Sequence, residues 1–254
     1  MQLGGAFLMP VQTHSLSFWQ YVQTQIAQRQ IDIGIVVLSY SLVPDAEFPT
    51  PLCQMINAVQ HLIDSGVSPQ SIQLTGDSAG ANLCLQFLSH LLHPLPSVPA
   101  FTLPEGARFR SMYLMSPWVA LIGDDTESWD TNKANDIFTP ESLQGWGKRV
   151  LASVPESKLP YADVANAPKG WFLGVEKLVE RILITTGSSE CLRDADKRLF
   201  ESHLNGCHSN VQFVVQEGGV HDDPLFDFVL NEKVGKLTPI ILDWFADGYK
   251  ATVV

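Results

Sequence analysis

Basic side chains are scarce in this chain of 254 residues, where 16 lysines and arginines face 27 aspartates and glutamates for a formal net charge of −11. Nucleic acid and anionic membrane surfaces both require a basic face, so this balance argues against either as a partner. No apolar window reaches the length that spans a bilayer, and the N-terminus has neither the basic flank nor the apolar stretch of a secretory signal. Cysteine is sparse as well. The four residues at 53, 84, 191 and 207 show no CxxC spacing, so reduced thiols and a cytoplasmic location are expected. No HExxH pair is present and no metal or organic cofactor is expected. Charged runs and internal repeats are missing too, whereas 45% of the residues are apolar and 17% charged. Those proportions fit one folded domain over 1–254 with a sizeable core.

What is present is an alternation of strand and helix signals that suits a mostly parallel sheet. Phe18, Trp19, Val22 and Ile26 share a helical face, and Ile31 to Leu38 then reads as a buried strand. Leu52, Met55, Ile56, Val59, Leu62 and Ile63 form the next helical stripe, which stops at Gly66. Short apolar runs at Ile72 to Thr75, Ser111 to Met115, Arg181 to Thr186 and Val211 to Val215 read as further strands. A last helix is expected with Leu237, Ile240, Ile241 and Trp244 on one face. Between 119 and 180 the pattern is irregular. Trp129, Trp146, Trp171 and Phe172 are scattered there among polar residues and prolines, as in an insertion whose aromatics pack among themselves.

One run carries chemistry. Gly76, Asp77, Ser78, Ala79 and Gly80 form GxSxG between the Ile72 to Thr75 strand and a helix-like stretch reaching Leu92. A serine on so sharp a strand-to-helix turn needs glycine on both sides, since a Cβ there would meet neighbouring backbone. The turn lifts the hydroxyl clear of the sheet and aims the Ala79 N–H where a carbonyl oxygen would become an oxyanion. Asp77 points away from such a site and reads as a loop anchor.

A nucleophilic serine needs a base and an orienting acid, following it in that fold as acid and then histidine. His221 follows the Val211 to Val215 strand on the loop Gly218, Gly219, Val220; His14, His61, His90, His93, His203 and His208 do not follow a strand in that order. Glu190 stands just past the Arg181 to Thr186 strand, with Asp194 as the alternative carboxylate. A strand tip reaches the imidazole more readily than a helix interior, where Asp194 suits capping or pairing with Arg193 or Arg198, so Glu190 is favoured.

GDSAG at 76–80 with Asn82 and Leu83, SPW at 116–118, ECLRD at 190–194 and GGVHD at 218–222 together resemble the hormone-sensitive-lipase-like branch of the α/β-hydrolase superfamily, fungal members included. The resemblance implies an α/β-hydrolase fold in which 119–180 forms a cap insertion. It also implies a catalytic triad of Ser78, Glu190 and His221, with glutamate as a variant of the usual aspartate. The family's His-Gly-Gly-Gly oxyanion loop corresponds to Leu3, Gly4, Gly5 and Ala6, so Gly4 and Gly5 join Ala79 as expected amide donors. The implied activity is hydrolysis of small-molecule esters, favoured over amides, and the likeness to fungal members extends the expectation to secondary metabolism. Plant gibberellin receptors resemble the same family but lack the histidine, so a non-catalytic receptor is a further reading, beside an inactive truncated hydrolase. In the family two strands and a cap segment precede a third strand that leads into the oxyanion loop, and this chain opens almost on that loop. N-terminal strands are therefore expected to be missing, the third of them from between Ile31 to Leu38 and the elbow strand.

Overall fold

The computed structural model describes residues 1, 4–123, 126–230 and 233–250. Four strands form one parallel sheet in the order β1 (Gln73–Asp77), β2 (Ser111–Met115), β3 (Ile182–Gly187) and β4 (Val211–Gln216). Parallel neighbours need long crossovers, and helices supply much of them. β1 runs directly into α3 (Ser78–Leu92), while α1 (Thr13–Gln28) and α2 (Thr50–Asp64) precede the sheet. Between β2 and β3 lie α4 (Glu127–Asn132), α5 (Pro140–Leu151) and α6 (Leu159–Ala162). α7 (Arg193–Arg198) joins β3 to β4, and α8 (Asp223–Val229) and α9 (Leu237–Lys250) close the chain.

The two-residue period of the strands divides the core into two layers. Met112, Leu114, Ile182 and Ile184 turn to one face, where they pack with Leu52, Met55 and Ile56 of α2 and Leu83 and Phe87 of α3. Tyr113, Met115 and Leu183 turn to the other, against Phe18, Trp19, Val22 and Ile26 of α1 and Ile241, Trp244 and Phe245 of α9. The α1 and α2 stripes thus bury as their spacing requires. In α9 the face is rotated from the expected one: Ile240 is 44% exposed, and Leu242, Phe245 and Ala246 complete the buried side.

Ile31 to Leu38 departs from expectation, because it is neither a regular strand nor buried. Val36 is 53% exposed, and only Leu38 takes part in a bridge. The physical reason is that no regular strand among the described residues lies beside it: a cavity of about 410 Å³, lined by Ile33 to Leu38 on one side and Gln73 to Thr75 on the other, separates the segment from β1. Its backbone bonds go to residue 1 and to α1: the Met1 amine donates to Val36 O at 2.9 Å, Leu38 N–H donates to Met1 O at 3.0 Å, and Gln23 Nε2 donates to Ile33 O at 2.7 Å.

In register, Asp77 stands opposite Met115, Met115 opposite Thr185 and Thr185 opposite Val214. The C-terminal ends of the strands are therefore level, and the loops that follow them converge at one edge. At the end of β1 a Cβ on Gly76 would collide with the backbone of Gly80 and Ala81. Overpacking costs about 1–3 kcal/mol and backbone cannot step aside as a side chain can, so Gly76→Ala should lower Tm by roughly 6–12 °C. Differential scanning calorimetry of the two proteins checks this, and an unchanged Tm would contradict the close approach.

Candidate active site

Ser78 occupies the bend between β1 and α3 with φ +50°, a left-handed conformation that costs a side-chain-bearing residue about 1–3 kcal/mol. It persists because both neighbours are fixed. Trp118 N–H donates to Ser78 O at 3.1 Å, and the Gly76 and Gly80 backbones are in van der Waals contact. Ser78 lines a cavity of about 340 Å³, together with Gly4, Gly5, Asp77, Trp118, His221 and Asp222.

The structure brings Glu190, not Asp194, to His221. Nδ1 of the imidazole lies 2.6 Å from Glu190 Oε1, so Nδ1–H donates to the carboxylate and Nε2 is left for other partners. Glu190 is fully buried, and its Oε2 accepts three hydrogen bonds, from Ser116 Oγ, Thr186 Oγ1 and Gly187 N–H, each at 2.9 Å. Asp194 is occupied elsewhere. Its carboxylate accepts from Ser128 N–H at 2.8 Å and pairs with Arg193 at 2.8 Å, and these partners hold its carboxyl below the ordinary range against the opposing effect of burial. Burial opposes charge on His221 too, but Asp222 and Glu190 outweigh it and raise the imidazole to about 10.

Sequence reasoning missed the groups that place the His221 loop. Asp136, in the segment before α5, accepts from His221 N–H at 2.9 Å with Oδ1 and from Cys191 N–H at 2.8 Å with Oδ2, bridging the loops that carry His221 and Glu190. Ser116, itself at φ +43°, accepts from Asp222 N–H at 3.1 Å while donating to Glu190. Ser116 was visible only as part of the SPW run. Asp136 had no local signal at all. The β3 tip also lies against the loop, since Ser189 N–H donates to Gly219 O at 2.9 Å and a Cβ on Gly187 would collide with that same oxygen.

Of the expected oxyanion donors, Gly4 has its N–H committed to Asp77 Oδ2 at 2.7 Å. Asp77 thus anchors the glycine loop, and burial raises its carboxyl to about 6 even though the Gly4 bond lowers it. Gly5 sits on the cavity wall at φ +124°, a backbone state in which glycine avoids strain, and its carbonyl accepts from Leu8 and Met9 N–H at 2.8 Å each. Ala79 follows Ser78 in the first turn of α3 and is fully buried. Leu3 lies outside the described residues.

Most of the remaining wall is apolar, from Ile137, Phe138, Leu143, Trp146 and Phe226. Trp146 packs edge-on against Phe138 of its own segment, with ring centroids 4.9 Å apart, and also lines the cavity. Trp129 and Phe172 are buried in the core, and Trp171 stacks on His93 with ring centroids 4.0 Å apart. His90, His203 and His208 lie away from the site, each with Nε2 at a backbone carbonyl. None of the four cysteines forms a disulfide. Among the described residues no helix is long and apolar enough to cross a membrane, and no three His, Cys, Asp or Glu side chains cluster as metal ligands.

Comparison with known proteins adds to this geometry. The family model described as alpha/beta hydrolase fold matches residues 4–224. An esterase of Acinetobacter venetianus is 28% identical over 204 residues, covering 78% of this chain and 58% of its own length. An acetyl-hydrolase of Streptomyces hygroscopicus is 28% identical over 172 residues, covering 67% of this chain and 51% of its own. The chain thus spans little more than half the length of these curated relatives. Among solved structures, a double mutant of the esterase E40 superposes with a TM-score of 0.76 at 20% identity over 99% of this chain and 75% of that one. An esterase from the bacterial hormone-sensitive lipase family gives 0.73 at 21% identity over 99% of this chain and 75% of that one.

The Asp136 bridge carries a prediction. Hydrogen bonds to a charged group contribute about 1.5–3 kcal/mol each, so Asp136→Ala should accelerate hydrogen exchange at the His221 and Cys191 amides by roughly tenfold or more. Exchange mass spectrometry of peptides covering 188–194 and 218–223 reads this directly, and unchanged protection would show that other contacts hold the two loops.

Proposed function

The chain belongs to the alpha/beta hydrolase fold family, and from that footing we propose that it is a serine hydrolase of the hormone-sensitive-lipase-like branch that cleaves carboxylic esters of small molecules. The carrying observation is that His221, backed by the buried Glu190, lines the same cavity as the strained elbow serine. The names of the relatives, an esterase and an acetyl-hydrolase, point to the same class.

In this reading Ser78 Oγ attacks the ester carbonyl carbon while His221 Nε2 takes the hydroxyl proton. Glu190 fixes the Nδ1–H tautomer and balances the imidazolium charge. The negative charge that forms on the carbonyl oxygen is met by the Gly5 and Ala79 amides, while Gly4, bonded to Asp77, holds the glycine loop in place. The imidazolium returns its proton to the departing alkoxide, leaving the acyl group on Ser78. Water then attacks the acyl carbon as His221 takes its proton, and the imidazolium returns that proton to Ser78 Oγ as the carboxylic acid departs.

We assign residues 119–180 as a cap on the single domain. Ile137, Phe138, Leu143 and Trp146 come from this segment and supply one apolar wall of the cavity, which suits a short acyl chain or an apolar alcohol rather than a charged one.

Ser78→Ala should abolish both hydrolysis of p-nitrophenyl acetate and labelling by a fluorophosphonate. Retention of either would remove Ser78 from the role. Glu190→Gln should lower kcat by roughly 10²-fold or more, whereas Asp194→Asn should change it by less than about threefold. Steady-state kinetics of the two variants ranks them, and the reverse ranking would transfer the orienting role to Asp194.

A further inference from the structure

His221 has a carboxylate on each ring nitrogen. Glu190 Oε1 takes Nδ1, and on the opposite edge Asp222 Oδ2 lies 3.3 Å from Nε2, the atom that has to accept the serine proton. Asp222 is held there by its own backbone. It sits at φ +54° in the left-handed region, its N–H donates to Ser116 Oγ, and the same hydroxyl donates to Glu190 Oε2, so the two carboxylates are framed by one serine. The Asp222 side chain is 11% exposed, and its Oδ1 is buried without a hydrogen-bond partner. A carboxylate left half satisfied in a buried place is costly unless an opposite charge faces it.

We propose that Asp222 is a positioning residue that latches His221, its carboxylate holding Nε2 away from Ser78 until the imidazole loses its second proton. The inference rests on the hydrolase reading and specifies how its base is controlled. A histidine between two carboxylates favours the imidazolium, which has no lone pair for the serine proton. Acidic side chains from several elements act on the ring: Glu190 after β3 and Asp222 on the same loop at its nitrogens, Asp136 before α5 at the His221 amide, and, further off and themselves raised by burial, Asp77 at the end of β1 and Asp196 in α7. Their sum raises the imidazole despite its burial. Burial, with Asp77, Glu190 and Asp136 adding to it, holds the Asp222 carboxyl well above the ordinary range, and the facing His221 is the one group that pulls it down. The working base is neutral, so activity should appear on the alkaline side and fall as pH drops through the imidazole pKa.

The test removes one charge and keeps the shape. Asp222→Asn should lower the His221 pKa by about 1–3 units, read by ¹⁵N NMR of the imidazole and assigned by the signal lost in His221→Asn. The acid limb of the pH profile of kcat/KM for p-nitrophenyl acetate should move down by the same amount. Asp222→Gly, which takes φ +54° without strain, should reproduce both shifts and serves if the asparagine variant does not fold. An imidazole titration that is identical with and without the Asp222 charge overturns the latch, whatever the turnover. Failure of the hydrolase reading looks different: the wild-type protein is then not labelled by fluorophosphonate at any pH up to the stability limit, while the NMR shift still reports on the latch.

Discussion

The carboxylate of Glu190 is the point at which this site is tied together. With no exposed surface, it accepts from the end of β3 through Thr186 and Gly187, from the loop after β2 through Ser116, and from the His221 imidazole. Three parts of the chain that share no local sequence meet on two oxygen atoms. A buried carboxylate is tolerated only when its lone pairs are used, so the bonds that orient the imidazole are also the bonds that allow the charge to be there. Fold and site are coupled through that one group. A substitution at Ser116 or Thr186 alters both.

The parts legible in the sequence are those whose cause is local. Glycine at 76 and 80 around Ser78 reports a turn that only small residues permit, and the strand and helix on either side can be read from their periodicity. β2, β3 and β4 are legible within about a residue or two at each end, since short apolar runs bounded by turn residues have few other fates. The order of Glu190 before His221 follows from chain direction in a parallel sheet. Glu190 rather than Asp194 follows from reach, and the distances agree.

What was not legible depends on groups far apart in sequence. Asp136 lies 85 positions before the His221 amide it accepts from, and no window of residues contains both. Trp146 resembles any aromatic on an amphipathic helix, and only the placement of α5 turns it toward the cavity. Gly4 could be assigned to the glycine loop but not to a bond with Asp77, because that bond depends on where the chain lies across the end of β1. Ile31 to Leu38 has the composition of a buried strand, yet composition states only what a segment could pair with. Strand formation needs a neighbour, and here a cavity lies where one would have to be.

That cavity bears on the serine itself. β2 and β3 are each flanked on both sides, whereas β1, which delivers Ser78, is paired among the described residues with β2 alone and presents its other edge to an apolar hollow. A strand clamped along one edge can bow and twist about that edge more easily than one clamped along two. The stiffness of the Ser78 mount is therefore asymmetric: firm toward Glu190 and His221, compliant toward the Gly4 and Gly5 loop. Residual motion at the site should then be felt more in the position of Ser78 relative to the Gly4 and Gly5 loop than in the spacing between Glu190 and His221.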